Sequence, residues 1–120
     1  MPTPVLEDLR SYSSVQTWFA GLREQSGADA EGDPARLDML RRFCEFVERD
    51  PNAIVRECLR DSDSGTTISI KGRRRYATKI VEFERQADHG DLRGRAVAGS
   101  TIRSFLIHNG IFLQAAPLLR

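Results

Sequence analysis

"DPARLDMLRRFCEFVERDPNAIVRECL", Asp33 to Leu59, decides the fold class. Asp33 followed by Pro34 puts an N-cap and an N1 proline at a helix start, where the N–H that proline lacks would have no intrahelical partner anyway. Leu37, Leu40, Phe43, Cys44 and Val47 then recur at steps of three and four, and Met39 and Phe46 widen the arc. An arc that wide predicts contact with more than one neighbour. The opposite face offers Asp38 to Arg42, Arg41 to Glu45 and Glu45 to Arg49, all at i,i+4. Asp50 and Pro51 repeat the start signal and open a shorter helix presenting Ile54, Val55, Cys58 and Leu59.

Upstream, "SSVQTWFAGLREQSG" spaces Val15, Trp18, Phe19 and Leu22 on one helical face, with Ser13 or Ser14 as a cap and Gly27 at its end. Residues 1–12, with prolines at 2 and 4, read as a flexible N-terminal segment, and "ADAEGD" as a polar connector. Downstream, "RDSDSGTTISIKG" breaks the helical pattern. Its "TTISIK" alternates as a strand would, but no second run stands ready to pair with it, so a loop or extended segment is expected. A fourth helix follows with Tyr76, Ile80, Phe83 and Ala87 in one stripe and Ala77 and Glu84 at its margin, stopping near "HGDLRG", where Gly90 and Gly94 punctuate. In "GSTIRSFLIHNG", Ser100 is the expected cap, Ile102, Phe105 and Leu106 face the core, and Asn109 and Gly110 supply the stop. The sequence predicts an all-α, single-domain bundle of four to five helices over residues 13–113.

A chain of 120 residues that is 40% hydrophobic and 29% charged has the composition of one globular domain, too apolar for a disordered segment. No apolar run approaches the ~20 residues that cross a bilayer, and "MPTPVLEDLRSYSS" lacks the features of a signal peptide, so a cytoplasmic protein is expected. Cys44 and Cys58 form no CxxC, and with only His89 and His108 to join them they match no zinc spacing. They read as buried reduced thiols; no metal and no cofactor are expected.

The net charge of +1 hides an asymmetry. Residues 1–70 hold 8 Arg against 13 Asp and Glu, a net of −5, while residues 71–120 hold 10 Lys and Arg against 4, a net of +6. A polyanion would bind the second half. Within it, "IKGRRRY" crowds Lys71, Arg73, Arg74 and Arg75 around the first turn of the fourth helix, where each cation opposes the macrodipole at roughly 0.3–1 kcal/mol. An external anion removes that conflict, and a helix start already favours phosphate. A solvated basic turn, neutralised by the acidic front half, is the plainer account of the same residues. On the last helix, Ser100, Arg103, Ser104 and Ile107 are expected to face outward with Thr101 and His108 on the flank, the short polar and Arg face that groove reading requires and that an ordinary exposed helix also carries. Arg42 is a further candidate contact, ranked lower because Asp38 and Glu45 stand by on its own helix.

Catalysis has less behind it. His108 follows Ser104 by four residues, so the two can meet on one helical face, but no nucleophile elbow, phosphate-binding glycine loop or carboxylate pair accompanies them. No catalytic residue is assigned. His89, beside Gly90 at a helix end, fits a structural role.

The succession "LDMLRRFCEFVERDPNAIV", "RRRYATKIVEFERQA" and "AGSTIRSFLIHNGIFL" resembles the N-terminal, SAM-like core-binding domain of tyrosine recombinases, the phage-type integrases. The last piece is the most specific, with Ser100, Thr101, Ser104, Phe105, Asn109 and Gly110 carrying the family's pattern. The resemblance implies a helical bundle that clamps double-stranded DNA, with the helices at 33–49 and 100–109 approaching the major groove and basic helix starts holding phosphates. Chemistry in such proteins belongs to a second domain with two arginines, a lysine, an HxxR motif and a tyrosine nucleophile. His108 does not fit HxxR, and neither Tyr12 nor Tyr76 lies in a matching context. The resemblance therefore implies a non-catalytic fragment, with residues 114–120 beginning a linker to the absent catalytic domain, which would be its partner in a homo-tetramer of the full-length protein on DNA, nucleoid-associated when bound. Two other classes fit the residues: a helical protein-interaction module, and a stand-alone DNA-binding regulator, which predicts dimers on a palindromic site.

Overall fold

A computed structural model describes residues 9–26, 34–62, 65–86 and 89–111. It is an all-α bundle with one small sheet: α1 (Ser13–Ser26), α2 (Pro34–Val47), α3 (Pro51–Glu57), β1 (Leu59–Ser62), β2 (Gly65–Ile68), α4 (Ile70–Glu84) and α5 (Leu92–His108). The centre of the bundle is α5, which packs against α1, α2 and α4 at once. Its buried positions, Ala98, Gly99, Ile102, Phe105 and Leu106, accordingly cover more of its girth than one narrow stripe. The wide arc of α2 is explained in the same way: Leu37, Leu40, Phe43 and Cys44 are buried, with Met39, Phe46 and Val47 packed around them against both α4 and α5.

The Asp-Pro reading of α3 holds in detail. Asp50 is the N-cap, its Oδ1 accepting from the Ala53 N–H at 2.8 Å, with Pro51 at N1. The corresponding Asp33, the connector and Gly27 lie outside the described residues, as does Ala87. On α2, Arg41 holds both Asp38 at 2.7 Å and Glu45 at 2.6 Å, so Asp38 is engaged at i,i+3, and Arg49 turns away from Glu45 to Glu57 at 2.8 Å.

Four expectations are corrected. Residues 60–72 do not form a mere loop: β1 and β2 pair antiparallel, Leu59 opposite Ile68 and Arg60 opposite Thr67. The partner strand, "LRDS", has no strand-like composition, so only its position after α3 reveals it. The hairpin is fastened to the bundle where the Ser69 N–H donates to the Cys58 carbonyl at 2.8 Å. The start of α5 is Leu92, about two turns before Ser100, with Asp91 as the cap; its Oδ1 accepts from the Gly94 N–H at 2.9 Å. Gly94 thus belongs to the first turn, and Gly99 is a helix-packing position: a Cβ there would overlap the Glu84 carboxylate of α4. The core, too, begins before residue 13. Leu9 is fully buried and Tyr12 packs against the same core, so residues 9–12 are part of the bundle.

The Ser13 and Ser14 hydroxyls do not provide the expected cap. The Tyr12 carbonyl accepts from the Val15 and Gln16 N–H groups, and the Ser14 hydroxyl is buried without a partner. The Asn109–Gly110 stop is as the sequence implies, with Asn109 as the C-cap and Gly110 at φ +85°.

Candidate nucleic-acid interface

The four cations of "IKGRRRY" occupy the first two turns of α4. Ser69 caps the helix, its Oγ accepting from the Gly72 N–H at 3.1 Å. Gly72 is buried against the end of α3, where a Cβ would overlap the Glu57 carbonyl. This close approach fixes the rotation of α4. With Gly72, Tyr76, Ile80 and Phe83 turned inward, Lys71, Arg74, Arg75 and Thr78 are left exposed as one outward stripe, while Arg73 is half-buried beside it. Arg56, in the last turn of α3, and Arg60, on β1, are also exposed at this corner, because the hairpin returns the chain from the end of α3 to the start of α4. Neither was singled out by sequence, since the first strand of the hairpin that brings them to this corner has no local signal.

The last helix behaves differently. Ser100 is exposed, though its hydroxyl donates to the Val97 carbonyl at 3.2 Å, and Thr101 donates to the same carbonyl at 2.7 Å. Arg103 is bound to Glu84 of α4 at 2.9 Å. Ser104 does not face outward: its Oγ accepts from the indole N–H of buried Trp18 at 3.1 Å. His108 lies over Gly21 of α1, where a Cβ would overlap the imidazole. Its Nδ1 is 2.9 Å from the Ser104 carbonyl, which can only accept, so the proton sits on Nδ1. An Nδ1 that is already a donor cannot act as the base for the Ser104 hydroxyl 3.4 Å away. Asn109 donates to the Ser14 carbonyl at 3.0 Å and the Phe105 carbonyl at 2.9 Å. The residues of "SFLIHNG" thus hold α1 to α5. No family model matches the chain, and no curated protein or solved structure does.

A cluster that sequence reasoning did not find lies where α3 and α4 meet. Glu57 accepts from the Tyr76 hydroxyl at 2.7 Å and from Arg49 Nε at 2.8 Å, with Arg75 at 3.7 Å. Its members come from the α2–α3 connection, α3 and α4, 8 to 19 residues from Glu57, so local spacing carries no trace of it. Arg42 lines a shallow groove between α2 and α4 with Phe46, Phe83 and Gln86, away from that cluster. His89 stands beyond the end of α4, its ring edge-on to Phe83 at 4.5 Å, so ring packing and not the helix terminus positions it. Cys44 and Cys58 are buried free thiols, and among the described residues no group of His, Cys, Asp and Glu could hold a metal ion. Nor is any described helix long and apolar enough to cross a membrane.

Proposed function

We propose that the chain binds double-stranded DNA as the N-terminal core-binding domain of a tyrosine recombinase, in DNA integration and site-specific recombination, without catalysing strand exchange by itself. Its expected setting is the cytoplasm, on the nucleoid when bound, with the catalytic domain of the full-length recombinase as partner and a tetramer on DNA as the assembly. The observation that supports this reading is the outward stripe of Lys71, Arg74 and Arg75 at the positive end of α4. Cations on a helix start are a disadvantage to the isolated fold and an advantage against a phosphate backbone. Arg56 and Arg60 extend the same charge across the hairpin corner.

Placement of the α5 residues moves the weight of the proposal to α4. Ser104 and His108 are occupied by α1, and Arg103 is engaged by Glu84, which leaves Ser100 and Thr101 as the candidate polar contacts on that helix. Fluorescence anisotropy of a labelled duplex across a salt series tests the reading. Each neutralised phosphate contributes about 0.9 to the log–log slope, so replacing Arg73, Arg74 and Arg75 together with Ala is expected to flatten it by about two or more. An unchanged slope removes these residues from the interface, and no binding at low salt removes the function.

A second reading, a protein-interaction module, draws on the outer face of α5, where Leu92 is 80% and Val97 50% exposed with Ala96 between them. A stable complex with a protein that persists at high salt while duplex binding is absent would favour it.

A further inference from the structure

Between the end of α2 and the first half of α4 lies a cavity of about 130 Å³ lined by Val47, Arg49, Glu57, Arg75, Tyr76 and Lys79. Three cations and one carboxylate line it. Arg49 is engaged with Glu57, its Nε 2.8 Å from Oε2, and its Nη1 donates to the Glu48 carbonyl. The other two are not. Arg75 stands 3.7 Å from Glu57 and Lys79 3.6 Å from Glu82, both well beyond the 2.7–2.9 Å of a charge-assisted hydrogen bond. Glu57 already accepts from the Tyr76 hydroxyl through Oε1, the atom nearest Arg75, so its capacity there is shared. The guanidinium of Arg75 and the ammonium of Lys79 therefore keep donors that no carboxylate in the cluster uses.

Size limits the occupant. At about 30 Å³ per water, the space corresponds to roughly four waters, which suits a compact ion of a few heavy atoms. It falls below the ~300 Å³ at which pockets for larger organic ligands begin. We infer that Arg75 and Lys79, with Arg49 behind them, form a binding site for a single phosphate-type oxyanion, Tyr76 fixing the Glu57 carboxylate that holds Arg49. Arg75 approaches as a planar fork and Lys79 as a point charge, so the two reach different oxygens of one tetrahedral ion. The site needs no duplex: a free phosphate, a phosphomonoester and a backbone phosphodiester present the same oxygens.

Inorganic phosphate titrated into the full chain at constant ionic strength, with chloride as the balancing anion, is the direct probe. Saturable NMR shifts confined to the residues around Arg49, Glu57, Tyr76 and Lys79 are expected. The dissociation constant should rise at least tenfold in both Arg75→Gln and Lys79→Gln and recover in Lys79→Arg, with circular dichroism confirming that each variant is folded. Shifts that do not saturate, or a dissociation constant unchanged in both Gln variants, overturn the site. A duplex oligonucleotide added to the phosphate complex then separates the sources. Displacement of phosphate makes the occupant a backbone phosphodiester. Retained phosphate makes it a free phosphate or phosphomonoester, and the site then stands even if the duplex reading fails.

Discussion

Replacing Ser104 with Ala separates a residue that reads a partner from one that holds the bundle together. The hydroxyl is the acceptor for the Trp18 indole N–H at 3.1 Å, and Trp18 is 0% exposed, so no water can take its place without opening the α1–α5 contact. A buried donor left unpaired costs about 1–3 kcal/mol. His108 is unaffected in the first instance, since its Nδ1 donates to the Ser104 carbonyl, which the substitution keeps. With a urea m-value of about 1.5 kcal/mol/M, a loss near 2 kcal/mol lowers the unfolding midpoint by about 1.3 M. Repeating the substitution in a Trp18→Phe background removes the donor, and Ser104→Ala should then cost about 0.5 kcal/mol or less, a coupling well within what touching residues show. Far-UV circular dichroism must follow the unfolding, because Trp18 is the single tryptophan and the cycle deletes it. Equal costs in the two backgrounds would refute the hydrogen bond as the reason for the serine. Weaker duplex binding with unchanged stability would return Ser104 to the reading surface.

Other outcomes follow from particular contacts. Gly72→Ala should destabilise by about 1–3 kcal/mol, since its Cβ meets the Glu57 backbone carbonyl, whereas Gly99→Ala should cost less, because its Cβ meets the Glu84 side chain, which can shift at the expense of its Arg103 pair; thermal unfolding of the two variants checks the order. Glu48 ends α2 at φ +58°, a conformation that costs a side-chain-bearing residue about 1–2 kcal/mol, so Glu48→Gly is expected to raise the unfolding midpoint. Burial pushes the Cys44 thiol up and the Cys58 thiol up to about 12, and burial together with the Glu57 hydrogen bond raises the Tyr76 hydroxyl. The unfolded chain releases these protons from about pH 8.5 upward while the fold retains them, so stability is full below that pH and falls as the pH climbs toward 12; urea midpoints across this window measure it. The same burial predicts that neither thiol reacts with a disulfide reagent near pH ~8 until the chain unfolds.

The buried stripes of α1 to α4 are legible from three- and four-residue spacing, and Asp50–Pro51 coincides with the real start of α3 as Asn109–Gly110 does with the end of α5. The start of α5 is not, because Gly94 and Gly99 resemble punctuation while one serves an N-cap and the other a close helix contact. A central helix also defeats a one-face assignment: Ser104 and His108 lie at the edge of the Ile102–Phe105–Leu106 stripe and still meet α1. The basic start of α4 is visible in sequence because the charges are consecutive. The Glu57 cluster is invisible there, since its partners are joined only by the return of the chain through the hairpin.

The staple at Asn109 has a mechanical consequence. Its amide holds the Ser14 carbonyl across 95 residues of chain, and the Ser14 N–H is held in turn by the Asn52 side chain at 3.1 Å. Leu9 and Ile111, a few residues further out on either side, are both fully buried. The first and last described segments are therefore fastened to each other, and a pull applied at Leu9 and Ile111 loads the α1–α5 seam first, peeling it open one contact at a time.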